Sequence, residues 1–361
     1  MAGAVGRLNG VPIEFLGSKR KLLPFLTEKI GSHVREEGHF VDLFCGTASV
    51  ASAFRAHGSR VTANDQLELC STIAEASLLN RGTPDFRELD GAGELRGRDD
   101  GDGYDRVLAR LNELPPSAGF IQRTYSPASL DESGVARMYL SEENAGRIDS
   151  IRRQIEDWEP LLTKGEKALL IVDLIGATSR RSNTAGTYGC YLKQWKPRSL
   201  EPLELVRAPS PSRRGSGHAV YRQEAESLLP SLEADVVYAD PPYTKRQYAA
   251  YYHLLETIVR YDSPAVTGKT GLRPWSEASS AFCYRRKAPG ALERLVGRLR
   301  TRHFFLSYNS DGQITDAEIR EILGPHGRLR VWEIPYQRYK SSARPHRGPL
   351  VTERLYHLAS A

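Results

Sequence analysis

At 361 residues the chain is long for a single hydrophobic core, which favours one large domain with an insertion, or two domains. Its 40% hydrophobic and 26% charged residues are typical of a globular protein, and its net charge of +6 suits a polyanionic partner without identifying one. Four scattered cysteines without a CxxC pair disfavour a zinc site or a disulfide framework and favour the reducing cytoplasm. The longest apolar run, ALLIVDLIGA, is too short for a membrane span, and the N-terminus lacks the apolar core of a signal peptide.

Helix and strand signals alternate over the first 85 residues. GSKRKLLPFLTEKI predicts a helix with Leu22, Leu26 and Ile30 on one face, beginning near Pro24. FVDLF predicts a short buried strand, ASVASAFRAHG a helix that ends at Gly58, and RVTAND the next strand. This strand–turn–helix–strand order is typical of doubly wound α/β sheets.

The middle of the chain has a different character from its two ends. Helices are predicted around 104–114, 135–157 and 164–179, and the segment RAPSPSRRGSG predicts a linker. From about 220 the alternation returns, with ADVVYA and HFFLSY as strands, QYAAYYHLLETIVRY and ALERLVGRLRTR as helices, and a terminal hairpin with a basic connection. We therefore expect one α/β domain formed by residues 1–85 and 220–361, with residues 86–219 inserted into it.

The segment DLFCGTASVA predicts a ligand site after the first strand. Gly46 lets the backbone approach a ligand closely, and the following helix start offers unpaired N–H groups. Asp65, at the end of the next strand, can accept both hydroxyls of a ribose. No GxGxxG motif is present, and Asp42 favours a cation, so S-adenosylmethionine fits better than a dinucleotide. An ordinary glycine turn with a capping aspartate remains the alternative.

The segment YADPPYTKRQY, residues 238–248, predicts a reaction centre. Its prolines end the strand and leave the carboxylate of Asp240 beside the ring of Tyr243. A carboxylate and a backbone carbonyl, here that of Pro241, can accept the two N–H groups of an exocyclic amine and make its nitrogen more nucleophilic. Tyr243 can stack on a base extruded from a duplex. The alternative is a turn that ends a strand and carries a surface tyrosine.

Four short strings follow one another along the chain: FLGSKRKLLPFL, DLFCGTASVA, Asn64-Asp65 and DPPY. In this the chain resembles the Dam-like, alpha-group adenine-specific DNA methyltransferases, over the first 65 or so residues and roughly 220–255. The resemblance implies a Rossmann-like S-adenosylmethionine-dependent sheet, and it makes the mainly helical insert a target-recognition domain. It also implies methylation of the N6 amino group of a flipped adenine in double-stranded DNA, for restriction-modification or epigenetic marking. From the resemblance we also expect a cognate restriction endonuclease as functional partner and a protein that is a monomer or weak dimer. We expect it in the cytoplasm of a bacterium or of a phage-infected cell.

The resemblance also assigns site residues. The catalytic segment is Asp240, Pro241, Pro242 and Tyr243. The cofactor pocket takes Phe15, Gly17, Ser18, Lys19, Asp42, Phe44, Gly46, Asp65 and Glu224, with Lys19 expected to meet the cofactor carboxylate and Glu224 standing where an aspartate is usual. SNTAGTYGCY resembles a family motif through Asn183, Gly186 and Tyr188. Independently of the resemblance, distributed cations predict the DNA contacts, with an ordinary solvated surface charge as the alternative for any one pair. The predicted DNA-binding residues are Arg180, Arg181, Asn183, Tyr188, Lys245, Arg246 and Lys340.

Other functions stay open at this stage. A related Pro-Pro-Tyr string serves methylation of RNA or of a protein amide, and the same fold can serve a DNA-binding regulator without catalysis. The nine histidines show no metal-ligand spacing, and methyl transfer from a sulfonium needs no metal, so we expect no metal site. No base is visible for Cys45, so a packing role is expected there and no covalent enzyme intermediate.

Overall fold

A computed structural model describes residues 7–8, 11–12, 15–35, 37–97, 101–337 and 350–360. The chain forms two compact units. The first, which we call the sheet unit, comprises Leu16–Ala74, Arg214–Ala249 and Ser276–Ala361. The second, the helical unit, comprises Met1–Phe15, Glu75–Arg213 and Ala250–Trp275. Residues 1–15, 75–85 and 250–275 were predicted to lie in the α/β domain and residues 214–219 in the insert. The compact units group the first three ranges with the central segment and Arg214–Ala249 with the sheet.

The sheet unit is built on seven strands. In chain order they are β1 His39–Asp42, β2 Arg60–Asn64, β3 Ala219–Tyr221, β4 Ala234–Ala239, β5 Thr301–Asn309, β6 Arg328–Gln337 and β7 Leu350–Ala359. Their spatial order is β3-β2-β1-β4-β5-β7-β6. The pairs from β3 through β5 are parallel, and β7 runs antiparallel to both β5 and β6. The expected doubly wound, Rossmann-like α/β sheet is confirmed.

Burial explains why the central strands read as continuous apolar runs. All four residues of β1 are buried, and Val236 to Ala239 of β4 are buried as well, because helices cover a parallel sheet on both faces. One face packs against two helices, Ala288–Val296 and Asp316–Leu323, through a cluster that includes Leu292, Phe304 and Leu306. The helices whose residues lie wholly or mainly in this unit are α1 Leu23–Gly31, α2 Ser49–Ala56, α3 Glu68–Leu78, α11 Ala225–Leu228, α12 Tyr248–Tyr251, α14 Ala288–Val296 and α15 Asp316–Leu323.

The helical unit contains α4 Arg87–Gly91, α5 Gly103–Asn112, α6 Phe120–Tyr125, α7 Ser129–Ser133, α8 Glu142–Asp157, α9 Lys164–Arg181, α10 Pro197–Leu200 and α13 His253–Arg260. A two-residue strand pair, Arg7–Leu8 with Val11–Pro12, belongs to it as well. Thr163 and Glu166 form a capping box at the start of α9, because the side chain of each accepts a hydrogen bond from the backbone N–H of the other. In the parts of the chain that are described, no helix has the length and apolar character needed to cross a bilayer.

Three helix predictions were wrong in their bounds. The helix expected over 291–302 covers Ala288–Val296 instead, and β5 already begins at Thr301. The helix expected over 135–157 begins only at Glu142, because the Ser141 side chain accepts a hydrogen bond from the Asn144 N–H and caps it there. The helix expected over 247–261 is divided into α12 and α13 at Tyr252, whose backbone is not helical. Tyr252 is fully buried and its ring stacks on Phe15, so tertiary packing outweighs the helical periodicity of the sequence.

Candidate active site

Three aspartates lie where neighbouring parallel strands end. Asp42 ends β1, Asp65 follows β2 and Asp240 follows β4, and β1 pairs with both of the other strands. Burial, together with the nearby carboxylates of Asp240 and Asp65, raises the pKa of Asp42 to about 8. Because the charges of both Asp65 and Asp240 raise the pKa of Asp42, the three carboxyl groups share one site at the carboxyl edge of the sheet.

The turn after β1 holds Asp65 in place. Gly46 has a φ of +48°, which favours glycine, and its N–H donates to Asp65 Oδ2 at 3.0 Å. The Leu67 N–H donates to Asp65 Oδ1 at 3.1 Å. Burial raises the pKa of Asp65, and these backbone hydrogen bonds oppose the rise. Both oxygens are therefore fixed in direction and keep a lone pair for a ligand.

Asn64 was not assigned a role from the sequence, although it joins three segments beside this turn. Its Nδ2 donates to the carbonyls of Leu43 and Gln223, at 3.1 Å each, and its Oδ1 accepts from the Gln223 N–H at 3.3 Å. It thereby holds the ends of β1 and β2 to the loop after β3. The only sequence signal was its place directly before Asp65 at a strand end.

Asp42 has an unsatisfied oxygen. Asp42 is 1% exposed, and its Oδ1 has no hydrogen-bond partner among the described residues. A buried acceptor without a donor is costly, so this atom points to a ligand that brings a donor or a positive charge.

Lys19 connects Asp240 to Glu353, a residue that was not predicted from the sequence. Its Nζ lies 3.1 Å from Asp240 Oδ1 and 2.5 Å from Glu353 Oε1. Glu353 is on β7, buried, and accepts from Ser307 Oγ at 3.0 Å and from Asn309 Nδ2 at 2.9 Å. The geometry favours a role for Lys19 in holding Asp240 over the predicted contact with a cofactor carboxylate.

Charge neighbours set the ionisation of this group. Burial lowers the pKa of Lys19, but the carboxylates of Asp240 and Glu353 outweigh burial and hold it well above its usual value. Burial raises the pKa of Asp240 to about 7, with Lys19 opposing the rise and Glu353 adding to it. Asp240 can therefore change its charge close to neutral pH, which is typical of catalytic carboxyl groups.

Tyr243 is only partly buried and stands beside the same ammonium. Its ring centroid is 5.2 Å from Lys19 Nζ, and the edge-to-face partner of its ring is Tyr308, at 5.9 Å. Pro241 is buried and Pro242 partly buried, so the chain leaves β4 in one defined direction. Lys245 and Arg246 follow this turn and are exposed.

The model for D12 class N6 adenine-specific DNA methyltransferases matches residues 15–318. The chain belongs to this family. Among its relatives, the type II methyltransferase M.NlaIII of Neisseria lactamica is 34% identical over 342 residues, which cover 93% of this chain and 95% of that protein. The type II methyltransferase M.FokI of Planomicrobium okeanokoites is 36% identical over 341 residues, or 91% of this chain and 50% of that protein. The modification methylase StsI of Streptococcus sanguinis is 35% identical over 335 residues, with shares of 91% and 49%.

The chain thus spans about half the length of M.FokI and of StsI and nearly all of M.NlaIII. The family and the enzyme class predicted from the sequence are confirmed.

The other residues predicted to bind the methyltransferase cofactor do not all lie in the same part of the structure. Gly17 has a φ of +77°, and a Cβ there would come within 3.0 Å of the Tyr248 hydroxyl, so the GSK segment requires glycine at this position. Ser18 precedes the 3-10 helix that carries Lys19, and Phe44 packs edge-to-face on Phe282. Glu224 is exposed and bonded to Gln66. Phe15 belongs to the helical unit, where it stacks on Tyr252, so its cofactor role stays a prediction.

Most of the predicted DNA-binding residues of the helical unit have partners inside it. Arg180 donates to the Glu204 carbonyl, and Arg181 pairs with Glu201 and the Pro202 carbonyl. Asn183 is fully buried and its amide bonds the carbonyls of Met138 and Leu192. Tyr188 is also buried, so it and Asn183 shape this loop and do not offer their side chains to DNA in this conformation. Lys340 lies outside the described residues.

Proposed function

We propose that this protein transfers a methyl group from S-adenosylmethionine to the N6 amino group of adenine in double-stranded DNA. The observation that carries the proposal is the meeting of Asp42, Asp65 and Asp240 at one sheet edge, with Lys19 and Tyr243 beside Asp240. Family membership supplies the reaction class, and the site supplies a place for each reactant.

The residues present fit S-adenosylmethionine. The unsatisfied Oδ1 of Asp42 suits a ligand that carries positive charge, and the α-ammonium and the sulfonium of this cofactor are both cationic. Asp65, oriented by the Gly46 and Leu67 N–H groups, can accept the ribose hydroxyls. When bound, the cofactor supplies an electrophilic methyl group on its sulfur.

Asp240 would act on the incoming amino group as a carboxylate. Accepting one N–H draws the nitrogen toward a tetrahedral, nucleophilic geometry, and the same charge stabilises the positive nitrogen that methyl transfer creates. Burial raises the pKa of Asp240, and Lys19 opposes that rise and so favours the carboxylate; Glu353, hydrogen-bonded to Ser307 and Asn309, fixes Lys19. Asp240 is thus the catalytic residue, whereas Lys19 and Glu353 are positioning residues.

Tyr243 would bind the adenine ring. A base inside a duplex cannot reach a buried carboxylate, so the adenine must leave the stack. The Tyr243 ring, held from one side by Tyr308 and only partly buried, can stack on the extruded base.

The relatives suggest the biological role. M.FokI and M.NlaIII are named as type II methyltransferases and StsI as a modification methylase, so we propose that this chain protects DNA from a cognate restriction endonuclease. Its work on DNA would place it in the cytoplasm, as a monomer or weak dimer, and the helical unit would recognise the target.

Asp240→Asn tests the catalytic assignment. Asn cannot supply the negative charge, so we expect methyl transfer from labelled S-adenosylmethionine to fall by at least about 100-fold. Cofactor affinity measured by calorimetry should stay near that of the wild type. Asp235→Asn, on the same strand and paired with Arg35, is the matched control and should remain active. Wild-type turnover in Asp240→Asn would refute the role, and wild-type protein that labels RNA or protein but not DNA would refute the substrate.

A further inference from the structure

Three histidines that are far apart in sequence meet in the sheet unit. His33 follows α1, His303 lies on β5 and His357 on β7. Each offers a ring nitrogen, and these three nitrogens all lie within 4.8 Å of one another. The spacing of the histidines along the sequence predicted no metal site. The fold nevertheless brings these three, which are far apart in sequence, close together.

The spacing of the nitrogens is close to that of a metal centre. His303 Nδ1 and His357 Nε2 are 3.1 Å apart. Around a tetrahedral ion with nitrogens at about 2.0–2.1 Å, two ligand atoms are about 3.3 Å apart. The ring centroid of His33 lies 4.5 Å from those of both partners, and its ring nitrogen lies within 4.8 Å of theirs, so a third imidazole stands beside this pair.

The surroundings hold the imidazoles in place and keep them neutral. Phe305 stacks on His357 with centroids 4.2 Å apart and planes at 2°, and Trp332 lies near-parallel to the same ring at 6.1 Å. Burial lowers the pKa of all three histidines, that of His357 to about 4, so the rings are neutral at neutral pH, and a bound ion would displace the proton of the hydrogen bond between His303 Nδ1 and His357 Nε2. Arg302 and Arg330 oppose a cation, but both are exposed, so water and salt screen their charge.

We propose that His33, His303 and His357 bind one divalent transition-metal ion, with Zn²⁺ as the first candidate and water completing its coordination. Imidazole suits zinc, copper and nickel. Magnesium and calcium prefer oxygen ligands, and none of the three residues supplies a carboxylate.

The ion would be structural. His357 lies four residues from Glu353 along β7, a distance of about 13 Å on a strand, so the ion would not touch the reacting atoms. It would join the end of α1 to β5 and β7, the two strands that carry Ser307, Asn309 and Glu353. Binding to the native state alone raises its stability.

The experiment uses the untagged full-length chain, stripped with a chelator and titrated with Zn²⁺ by calorimetry and with Co²⁺ by visible absorption. We expect one ion per chain, the absorption of a low-symmetry Co²⁺ site, and a higher melting temperature with Zn²⁺. His303→Gln and His357→Gln should each weaken Zn²⁺ binding by about tenfold or more and abolish the thermal shift. His326→Gln, which removes an exposed histidine of the same unit, should behave as the wild type.

His33→Gln keeps the test informative if the strand variants fail to fold, because His33 lies outside the sheet. It should weaken Zn²⁺ binding while circular dichroism stays unchanged. The proposal is overturned if wild-type protein shows no Zn²⁺ binding, or if His33→Gln binds Zn²⁺ as the wild type does.

Discussion

At the scale of single residues, Asp240 has two charged neighbours that shift its pKa in opposite directions. Lys19 lowers the pKa and Glu353 raises it. Because the proposed reaction needs the carboxylate, the rate should fall at low pH as Asp240 becomes protonated, with a midpoint near its pKa of about 7.

Two substitutions should therefore move this midpoint in opposite directions. Lys19→Met removes the cation and should shift it to higher pH, whereas Glu353→Gln removes a carboxylate and should shift it to lower pH. The measurement is kcat/KM against pH, because this ratio reports the pKa values of the free enzyme, to which the value of about 7 applies. Shifts of the same sign in both variants would contradict the electrostatic roles given to Lys19 and Glu353.

Asp42 should cost stability in the ligand-free protein. Its native pKa is about 8, whereas an unfolded aspartate titrates near 3.9, so the native state binds more protons between these values and stability falls as pH rises through that range. Asp42→Asn removes the titrating group, so the stability of this variant does not fall in this way as pH rises. We expect it to gain on the order of 1–3 kcal/mol over the wild type at pH 8, a gain that shrinks toward pH 4, and to bind S-adenosylmethionine more weakly. Urea denaturation at both pH values measures it.

Asp235→Asn is the control of opposite sign. Hydrogen bonds from the His39 N–H and Arg35 outweigh burial and lower the pKa of Asp235, so this carboxylate contributes stability that is present at pH 8 and lost as pH falls. The variant should be less stable than the wild type at pH 8. If Asp42→Asn also loses stability there, the ligand-free site does not bury a protonated Asp42.

The sequence predicted the acidic residues of the site but not their shared partners. Asp42 lies in an apolar run that ends before Gly46, Asp240 precedes Pro241, and Asp65 follows the strand RVTAN; parallel strands bring such positions to one edge. Glu353 has no comparable local signal. It reaches Lys19 across 334 positions of sequence, and only the pairing of β5 with β7 brings it there.

At the scale of elements, strands were easier to predict than helix ends. β2 and β4 lie within the predicted segments and β1 overlaps FVDLF, beginning one residue earlier at His39, because buried parallel strands are mainly apolar. β3, at the edge of the sheet, has only three residues, none of them buried, so its sequence gave little signal. The break between α12 and α13 follows from packing around Tyr252, which single-sequence periodicity does not contain.

The register of β5 and β7 links the candidate active site to the histidine cluster. Asn309 lies opposite Glu353 and Phe305 opposite His357, so His303, Ser307 and Asn309 share one face of β5. A slip of one residue would move Glu353 and His357 to the other face together. The same pairing thus fixes the carboxylate that holds Lys19 and two of the three proposed metal ligands.

At the scale of the whole molecule, a net charge of +6 favours DNA but does not say which cations meet phosphate. Lys245 is exposed directly after the candidate catalytic turn, whereas Arg181 is paired with Glu201 and a carbonyl. We expect Lys245→Ala to make the plot of log affinity against log salt shallower by about 0.9. Arg181→Ala should leave that slope unchanged while lowering the stability of the helical unit. Fluorescence anisotropy with duplex DNA over a range of salt concentrations measures both, and the reverse pattern would assign phosphate contact to the helical unit instead of the turn after Tyr243.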